Sequence, residues 1–432
     1  MSTLPANGRF GEGSRGILVS LWGFAFLSYL LRTNISVAQQ QMARELHWSD
    51  MQVGYVFAAF LIGYTIFQVP AGVLGDRFGP RLVLGISGAA WAVTTLLTGL
   101  VPGLLAESAT LSLWLVLMIR FTHGVEESST YPVAMTAVAD WYPPRDHAFV
   151  NSLIFTGSTL GAAFAPPLVA NIMNALGWRA AFYVTALLPL LLAAYWWRQT
   201  TGRPHHKRVR QKEAPGAAAD WWRISTRKNV LVLCLSYFLY CYAISIFVYW
   251  LFKYLVDVRH LSIVSSGWAN SLPWIVASVT VPVLGHVSRR LSARMGALAG
   301  RRRLAVICLI VSAALMFAGA GTAHIGLALG AIAASVGLLF STESSYWSTA
   351  IDLAAENAGA VSGLMNLAGN LGGVASTLLV PVLVGHFGWF LALLSGSLLA
   401  VLAALCWFLI RAGNKSQPSV NGLGSNSAVE YS

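Results

Sequence analysis

The sequence alternates between long apolar runs and short polar breaks over nearly its whole length. Each run reaches the roughly 20 residues that a helix needs to cross a bilayer. The twelve predicted spans, numbered in chain order, cover about 16–40, 51–74, 82–102, 112–139, 147–175, 179–198, 228–256, 262–288, 303–323, 325–350, 357–386 and 388–411. The pattern predicts an all-α membrane protein with twelve transmembrane helices. Span 1 carries Arg32 and lacks a small-residue cleavage site, so we expect a retained helix rather than a signal peptide.

The composition fits this reading. Of 432 residues, 56% are hydrophobic and 10% are charged, whereas soluble domains carry about 25% charged residues. The cysteines all fall in predicted spans, at Cys234, Cys241, Cys308 and Cys406. No CxxC motif or His-rich cluster accompanies them, so we expect no disulfide, metal site or cofactor.

The basic residues are distributed unevenly between the two sides of the membrane. Of the 28 Lys and Arg, 22 lie in the termini and the loops on one side, three lie in the opposite loops (Arg44, Arg179, Arg259) and three lie within spans. This positive-inside bias predicts a cell (inner) membrane protein with both termini in the cytoplasm. Orientation and anionic lipid headgroups account for the basic runs at 205–212 and 301–303, so we expect no nucleic-acid partner despite the net charge of +12.

A polar, basic segment at 204–220 divides the spans six and six. We therefore predict a six-helix bundle over 1–198, a cytoplasmic linker over 199–227, a second six-helix bundle over 228–411 and a disordered cytoplasmic tail over 412–432.

The two halves echo each other in sequence. At an offset of 211 residues, the positions that find an identical residue are Val150, Leu153, Leu160, Gly161, Leu168, Gly177 and Trp178. At an offset of 216, Glu127-Ser128-Ser129 of span 4 meets Glu343-Ser344-Ser345 of span 10. These echoes predict two pseudo-symmetric bundles. In transporters with this organisation the substrate commonly lies between the halves near the membrane midplane.

The loop after span 2 reads GVLGDRFGPR, residues 72–81. It resembles the signature loop of the major facilitator superfamily and implies that superfamily's fold. Asp76, Arg77 and Arg81 are gating candidates, because an Asp-Arg pair can bond a neighbouring helix end in one conformation and lose it in another. A turn with a solvated ion pair is the alternative.

Two further stretches are similar to the anion:cation symporter family of that superfamily, which includes bacterial sugar-acid, hexuronate and phthalate carriers. They are YLLRTNISVA at 29–38 and GVEESSTYPVAMTAVADWYPPRDHA at 124–148. The resemblance implies that Arg32 binds the anion, that Glu127 couples protons and that Tyr29 occupies an aromatic position. The acidic residue that often precedes the arginine is here Leu31, which leaves the proton stoichiometry open.

The residues themselves point the same way. A charge at the bilayer centre costs about 3 kcal/mol on insertion scales, so it is expected beside a cavity or a partner. The spacing of Arg120, Gly124, Glu127 and Tyr131 places them on one helix face, with Glu126 about 100° away. Tyr29, Glu127 and Tyr131 are therefore predicted substrate contacts of the first half, together with Arg32. We predict that Glu127 titrates while an anion docks on Arg32. The alternatives are a structural ion pair, direct substrate binding by Glu127, and titration of Glu126 beside His123.

The second half contributes a further set of candidates. The predicted substrate contacts are Tyr249, Trp250, Lys253, Trp274, Tyr346, Asn366 and Asn370, although packing or an interfacial belt is an equal alternative for the aromatic residues. Glu343 is a proton-coupling candidate, because its own span holds no basic residue to balance its charge.

These observations predict a monomeric secondary transporter that works by alternating access and imports a small carboxylate, such as a sugar acid or an aromatic acid, together with protons. An exporter or exchanger of an amphipathic anion is the runner-up. A non-transporting sensor would be expected to carry a signalling domain. No nucleophile and base pair is visible, so we do not expect an enzyme.

Overall fold

The computed structural model describes residues 12–102, 108–143, 146–201, 226–353 and 358–411. Most of the predicted linker and the whole predicted tail lie outside these ranges. Within them, regular secondary structure is helical.

The first half contains seven helices in its described residues. They are α1 (Glu12–Leu46), α2 (Asp50–Phe78), α3 (Pro80–Leu100), α4 (Ala109–Glu127), α5 (Thr130–Trp141), α6 (His147–Leu176) and α7 (Trp178–Gln199). Span 4 is made of α4 and α5, which are separated by a turn at Ser128 and Ser129.

The second half follows the same order. Its described helices are α8 (Lys228–Tyr249), α9 (Leu251–Asp257), α10 (Ile263–Met295), α11 (Ala297–Gly321), α12 (Ile325–Leu353) and α13 (Ala358–Leu409). Span 7 breaks at Trp250 between α8 and α9, and α13 holds spans 11 and 12 on either side of Gly388.

Ten helical segments of the described chain are long and apolar enough to cross a membrane. One of them, Val361–Leu409, contains both span 11 and span 12. Span 4 is missing from the ten because it is divided between α4 and α5. The predicted twelve-span, all-helical architecture is confirmed.

Four glycines make the shortest turns between spans. Gly79 and Gly296 join spans 2–3 and 8–9, and Gly177 and Gly388 join spans 5–6 and 11–12. Their φ angles lie between 78° and 90°, with ψ between 152° and 173°. This region is essentially restricted to glycine, because a Cβ clashes with the backbone there. The Gly-Trp pairs that open spans 6 and 12 therefore form the same type of turn in both halves.

Close helix packing within each half is also repeated. A Cβ on Gly161 of span 5 would meet the carbonyl oxygen of Phe26 in span 1. In the second half, Gly372 of span 11 stands in the same relation to Phe238 of span 7. Glycine lets the backbones approach to this distance, as is usual between membrane helices.

The two halves meet through a second repeated contact. Gly54 of span 2 faces the carbonyl oxygen of Thr377 in span 11, and Gly267 of span 8 faces that of Pro166 in span 5. Pro166 and Thr377 are 211 residues apart, which is the offset of the sequence repeat. The bundles are therefore joined by two equivalent helix pairs.

The contacts described here between the halves run from one side of the membrane to its middle. We call the side with the turns at Gly79 and Gly296 inner, following the predicted orientation, and the opposite side outer. From the outer side to the middle, contacts join Asp50 to Lys253, Gly54 to Thr377, Phe57 to Tyr249, Leu61 to Gly373 and Gln68 to Asn366.

Beyond Gln68, span 2 turns to its own half. Gly72 and Gly75 lie against Pro132 and Val133 of α5, and Asp76 accepts a hydrogen bond from Thr136. Among the described contacts, the halves thus meet from the outer side to the middle while the inner end of span 2 packs on its own half, which under the predicted orientation is the arrangement of an inward-open carrier.

We predict that Gly79→Ala lowers the free energy of unfolding by about 1–3 kcal/mol, since the cost comes from backbone strain at positive φ. A Cβ at Gly79 would meet no atom within 4 Å, so crowding plays no part. The measurement is thermal unfolding of the detergent-solubilised protein. Gly285→Ala is the matched control, because Gly285 lies inside α10 and its Cβ would also meet no atom within 4 Å. Equal melting temperatures for the two variants would contradict the role of the turn.

Candidate functional site

An ion pair lies near the middle of the first half. Arg32 of α1 donates from Nη2 and Nε to the same oxygen of Glu127 on α4, Oε1, at 2.6 and 3.2 Å. The Glu127 side chain is 1% exposed, whereas that of Arg32 is 14% exposed. The guanidinium is therefore partly exposed while its partner is covered by protein.

Three aromatic rings surround the Arg32 guanidinium. Its central carbon lies 4.9 Å from the ring centre of Tyr29, 5.1 Å from that of Phe60 and 5.0 Å from that of Tyr64. Aromatic faces attract cations, and the attraction grows when water is excluded. The cage stabilises a charge that bare apolar surroundings would not tolerate.

Two glycines bring span 2 and span 4 close enough to build this cage. A Cβ on Gly63 would meet the carbonyl oxygen of Phe121, and one on Gly124 would meet that of Phe60. The sequence interpretation did not include Phe60 and Tyr64. Their four-residue spacing with Gln68, which puts all three on one face of span 2, is the signal that could have found them.

Arg120 lies behind Phe60, with its central carbon 4.9 Å from the ring centre. Its Nε and Nη2 atoms are buried, and among the described residues they have no acceptor. The helical spacing in the sequence placed Arg120 on the same face as Glu127, but it did not show that these two nitrogens lack a hydrogen-bond acceptor in the described chain. A buried cation with unused donors is suited to hold an incoming anion.

A chain of polar groups leads from Glu127 to Glu126. Glu127 Oε2 has no hydrogen-bond partner in the described chain and lies 3.8 Å from His123 Nε2. On the other side of the ring, His123 Nδ1 is 2.8 Å from the Thr94 hydroxyl, which donates to Glu126 Oε2 at 2.9 Å.

The hydrogen-bond roles along this chain follow from the Thr94 hydroxyl, which has a single proton. When Thr94 donates that proton to Glu126, it must accept from His123 Nδ1–H. The other ring nitrogen, Nε2, then carries a free lone pair and lies 3.8 Å from Glu127 Oε2, which is longer than a hydrogen bond. His123 and Thr94 thus lie between two carboxylates, one of which is 1% exposed and the other 14%.

Several predicted substrate contacts come together around this centre. Tyr131 bonds Ser158 at 2.7 Å and lies within electrostatic reach of Arg32 and Glu127. Tyr249 packs on Phe57 with ring centres 5.0 Å apart and is within reach of both Arg32 and Arg120.

From the second half, Trp274 packs edge-on against Tyr29, with ring centres 6.2 Å apart. It also contacts Phe340 of span 10, at 5.0 Å between ring centres. Trp274 thus links the aromatic cage to the second half.

Three predicted contacts are placed elsewhere. Tyr346 is fully buried in the core of the second half, where its hydroxyl bonds Ser236 at 2.8 Å. Trp250 is buried at the outer closure against Phe57. Lys253 lies on the outer side, paired with Asp50 at 3.2 Å and Asp257 at 2.8 Å.

The remaining polar candidates of the second half lie on spans 10 and 11. Asn366 donates to Gln68 of span 2, and the Asn370 amide nitrogen is buried without an acceptor in the described chain. Glu343 Oε1 is 3.4 Å from both the Tyr237 hydroxyl and Trp347 Nε1.

The gating candidates surround the inner end of span 2. Asp76 accepts from the Thr136 hydroxyl at 3.2 Å, and the Arg77 guanidinium lies over the Phe78 ring at 5.3 Å. The Arg81 carbonyl accepts from Trp196 Nε1 at 3.0 Å. These contacts tie spans 2, 3, 4 and 6 of the first half together.

Two pseudo-symmetric six-helix halves are the organisation of membrane carriers of the alternating-access type. The sequence profile described as Major Facilitator Superfamily matches residues 21–377, and the chain belongs to that superfamily. The relatives that match this chain are transporters and not enzymes, as the sequence predicted.

Individual relatives narrow the class further. The hexuronate transporter of Bacillus subtilis (strain 168) is 29% identical over 408 residues, which cover 92% of this chain and 94% of that protein. A probable sulfoacetate transporter of Cupriavidus necator is 30% identical over 405 residues, covering 89% and 91%. Both match the anion:cation symporter family that the motifs resemble.

A crystal structure of a bacterial homologue of the human lysosomal transporter Spinster, in an inward-facing and unoccupied conformation, shares the fold. The TM-score is 0.78 at 16% sequence identity, covering 93% of this chain and 98% of the other. At this identity the likeness concerns the fold alone.

Proposed function

We propose that this protein is a proton-coupled symporter that imports a small organic anion, with the anion's acidic group docking on Arg32 and Arg120. The observation that carries the proposal is that two guanidiniums lie within about 5 Å of the same ring centre, that of Phe60, one held through a single carboxylate oxygen and the other without an acceptor for Nε and Nη2 in the described chain. The hexuronate and sulfoacetate relatives support an anionic substrate.

Competition for Arg32 provides the coupling. Charge-assisted bonds to a carboxylate are strong, so an ionised Glu127 holds Arg32 and opposes anion binding. Protonation of Glu127 removes that competitor and frees the guanidinium for the substrate. The order of events on the outer side is then proton first, anion second.

Charge balance supports the same scheme. With Glu127 ionised, the empty site has two arginines and one carboxylate, a net charge of +1 when His123 is neutral. With Glu127 protonated and one monoanion bound, the net charge is again +1. Moving charge through the low-dielectric interior is expensive, so equal charge lets the empty and the loaded carrier both reorient.

His123, Thr94 and Glu126 supply the route for the proton in this proposal. The charged and titratable groups that face His123 are Glu126 and Glu127 on its own helix, with Arg32 and Arg120 in electrostatic reach. Glu126 takes the place of the acidic residue that the family often has at the position of Leu31.

The outer closure and the inner loop act as alternating gates in this scheme. Lys253 holds Asp50 of the first half and Asp257 of its own, while Gln40 donates to Asp257 at 2.6 Å. We assign Asp76, Arg77 and Arg81 to the inner gate, which forms when the halves close on that side.

Both termini are cytoplasmic in this proposal, and the protein resides in the cell (inner) membrane.

The direct test is uptake of radiolabelled glucuronate into proteoliposomes, with and without an inward proton gradient. We predict that Arg32→Ala lowers glucuronate binding at least about 30-fold, because loss of a desolvated charge-assisted contact costs about 2–5 kcal/mol. Arg289→Ala is the control, since Arg289 is exposed at the inner end of α10. Unaltered binding by Arg32→Ala would refute the docking role.

For Glu127→Gln we expect exchange of glucuronate across the membrane to persist while proton-driven accumulation disappears, because the neutral amide mimics the protonated acid permanently. Accumulation and counterflow are measured on the same vesicles. Glu45→Gln, which alters an outer carboxylate paired with Arg179, should retain both activities. Normal accumulation by Glu127→Gln would assign coupling elsewhere.

Thr94→Val tests the proton route. The valine keeps the size of the side chain but removes the hydroxyl between His123 and Glu126, so we expect the rate of proton-driven uptake to fall several-fold with exchange unchanged. Thr98→Val is the matched control, because the Thr98 hydroxyl bonds only the carbonyl oxygen of Thr94 among the described contacts. Equal rates in the two variants would argue against the relay.

A further inference from the structure

Glu343 of span 10 presents one free carboxylate oxygen. Oε1 lies 3.4 Å from both the Tyr237 hydroxyl and Trp347 Nε1, a long distance for either bond. Oε2 has no hydrogen-bond partner among the described residues, and the side chain is half-buried rather than sealed in the core. An oxygen in this position is free to accept a hydrogen bond from a bound ligand.

No cation balances this carboxylate within the described chain. The groups that act on Glu343 are Trp347 on its own span and Tyr237 on span 7, and it acts in turn on Tyr29, Tyr240 and Cys241. By contrast, Glu127 has Arg32, Glu45 has Arg179 and Asp352 has Arg301. Glu343 therefore differs from these three carboxylates in having no basic partner among the described residues.

Glu343 belongs to the half opposite the one that holds the arginines. Tyr29 connects the two sides, since the Arg32 guanidinium lies over its ring and its hydroxyl is within electrostatic reach of both Arg32 and Glu343. A ligand held by Arg32 at one end can therefore extend towards Glu343 at the other.

Neutral groups that both donate and accept surround this second end. The Tyr237 ring contacts Gly369 of span 11, which lies between Asn366 and Asn370. The Tyr240 hydroxyl is buried and has no partner in the described residues. Amides and phenols of this kind suit hydroxyl groups, which also donate and accept.

We propose that Glu343 is a specificity-determining residue, which accepts a hydrogen bond from a hydroxyl at the far end of the substrate and repels a second carboxylate there. The substrate class is then a polyhydroxylated monocarboxylate. This inference rests on the proposed anion site at Arg32 and Arg120. Selection of this kind combines an attractive contact for one ligand with a repulsive one for its competitor.

Three six-carbon probes separate these effects: gluconate, glucarate and hexanoate. Glucarate differs from gluconate only in a second carboxylate at carbon 6, and hexanoate keeps the single carboxylate without hydroxyls. Binding to the detergent-solubilised full chain is measured by calorimetry at pH 7. We expect wild type to bind gluconate at least tenfold more tightly than either glucarate or hexanoate.

In Glu343→Gln the preference for gluconate over glucarate should shrink to about threefold or less, because the amide carries no charge and can donate to the second carboxylate. Glu45→Gln, the same substitution in an outer carboxylate, should keep the wild-type ratio. An unchanged ratio in Glu343→Gln, or equal wild-type affinity for gluconate and glucarate, would overturn the proposal.

The wild-type measurements stand even if Glu343→Gln does not fold. If 6-aminohexanoate binds tightly and gluconate does not, the free oxygen serves an ammonium group and the hydroxyl assignment is overturned. If none of the carboxylates binds, the anion site itself has failed. If gluconate binds without discrimination against glucarate, the anion site stands and only the role of Glu343 falls.

Discussion

The structure depends on a cation that is buried against one carboxylate oxygen and three aromatic rings. In a low-dielectric interior the attraction between Arg32 and Glu127 is strong, but neither charge can remain there alone. The close approach of spans 2 and 4 at Gly63 and Gly124 follows from this constraint, because it brings Phe60 to the guanidinium. The same ring also faces Arg120, so one aromatic side chain positions both cations.

The two halves share a backbone plan but divide the chemistry. Equivalent glycine turns and equivalent carbonyl contacts recur at the repeat offset, so the duplicated unit survives in the packing. The charges do not recur: the first half holds both arginines and Glu127, whereas Glu343 in the second half has tyrosine and tryptophan neighbours. A cavity between unlike walls binds a ligand with unlike ends in one orientation.

The sequence alone predicted the twelve spans, because each is a long apolar run, and the family resemblance pointed to Arg32 and Glu127. It could not place Lys253, since the apolar pattern continues through Trp250, where α8 ends and the chain turns to the outer side. It could not place Tyr346 either. A span that is apolar on all sides gives no sign of which face meets the core and which meets the cavity.

The paired glycine contacts at Gly54 and Gly267 have a mechanical consequence. A backbone carbonyl resting against a glycine leaves little side-chain bulk between the two helices, with only Ala170 and Pro381 nearby, so a small relative rotation needs little repacking. Since the two contacts are equivalent and join different helix pairs, the interface between the bundles offers the same small-residue surface at two places and suits a movement in which each bundle keeps its internal packing.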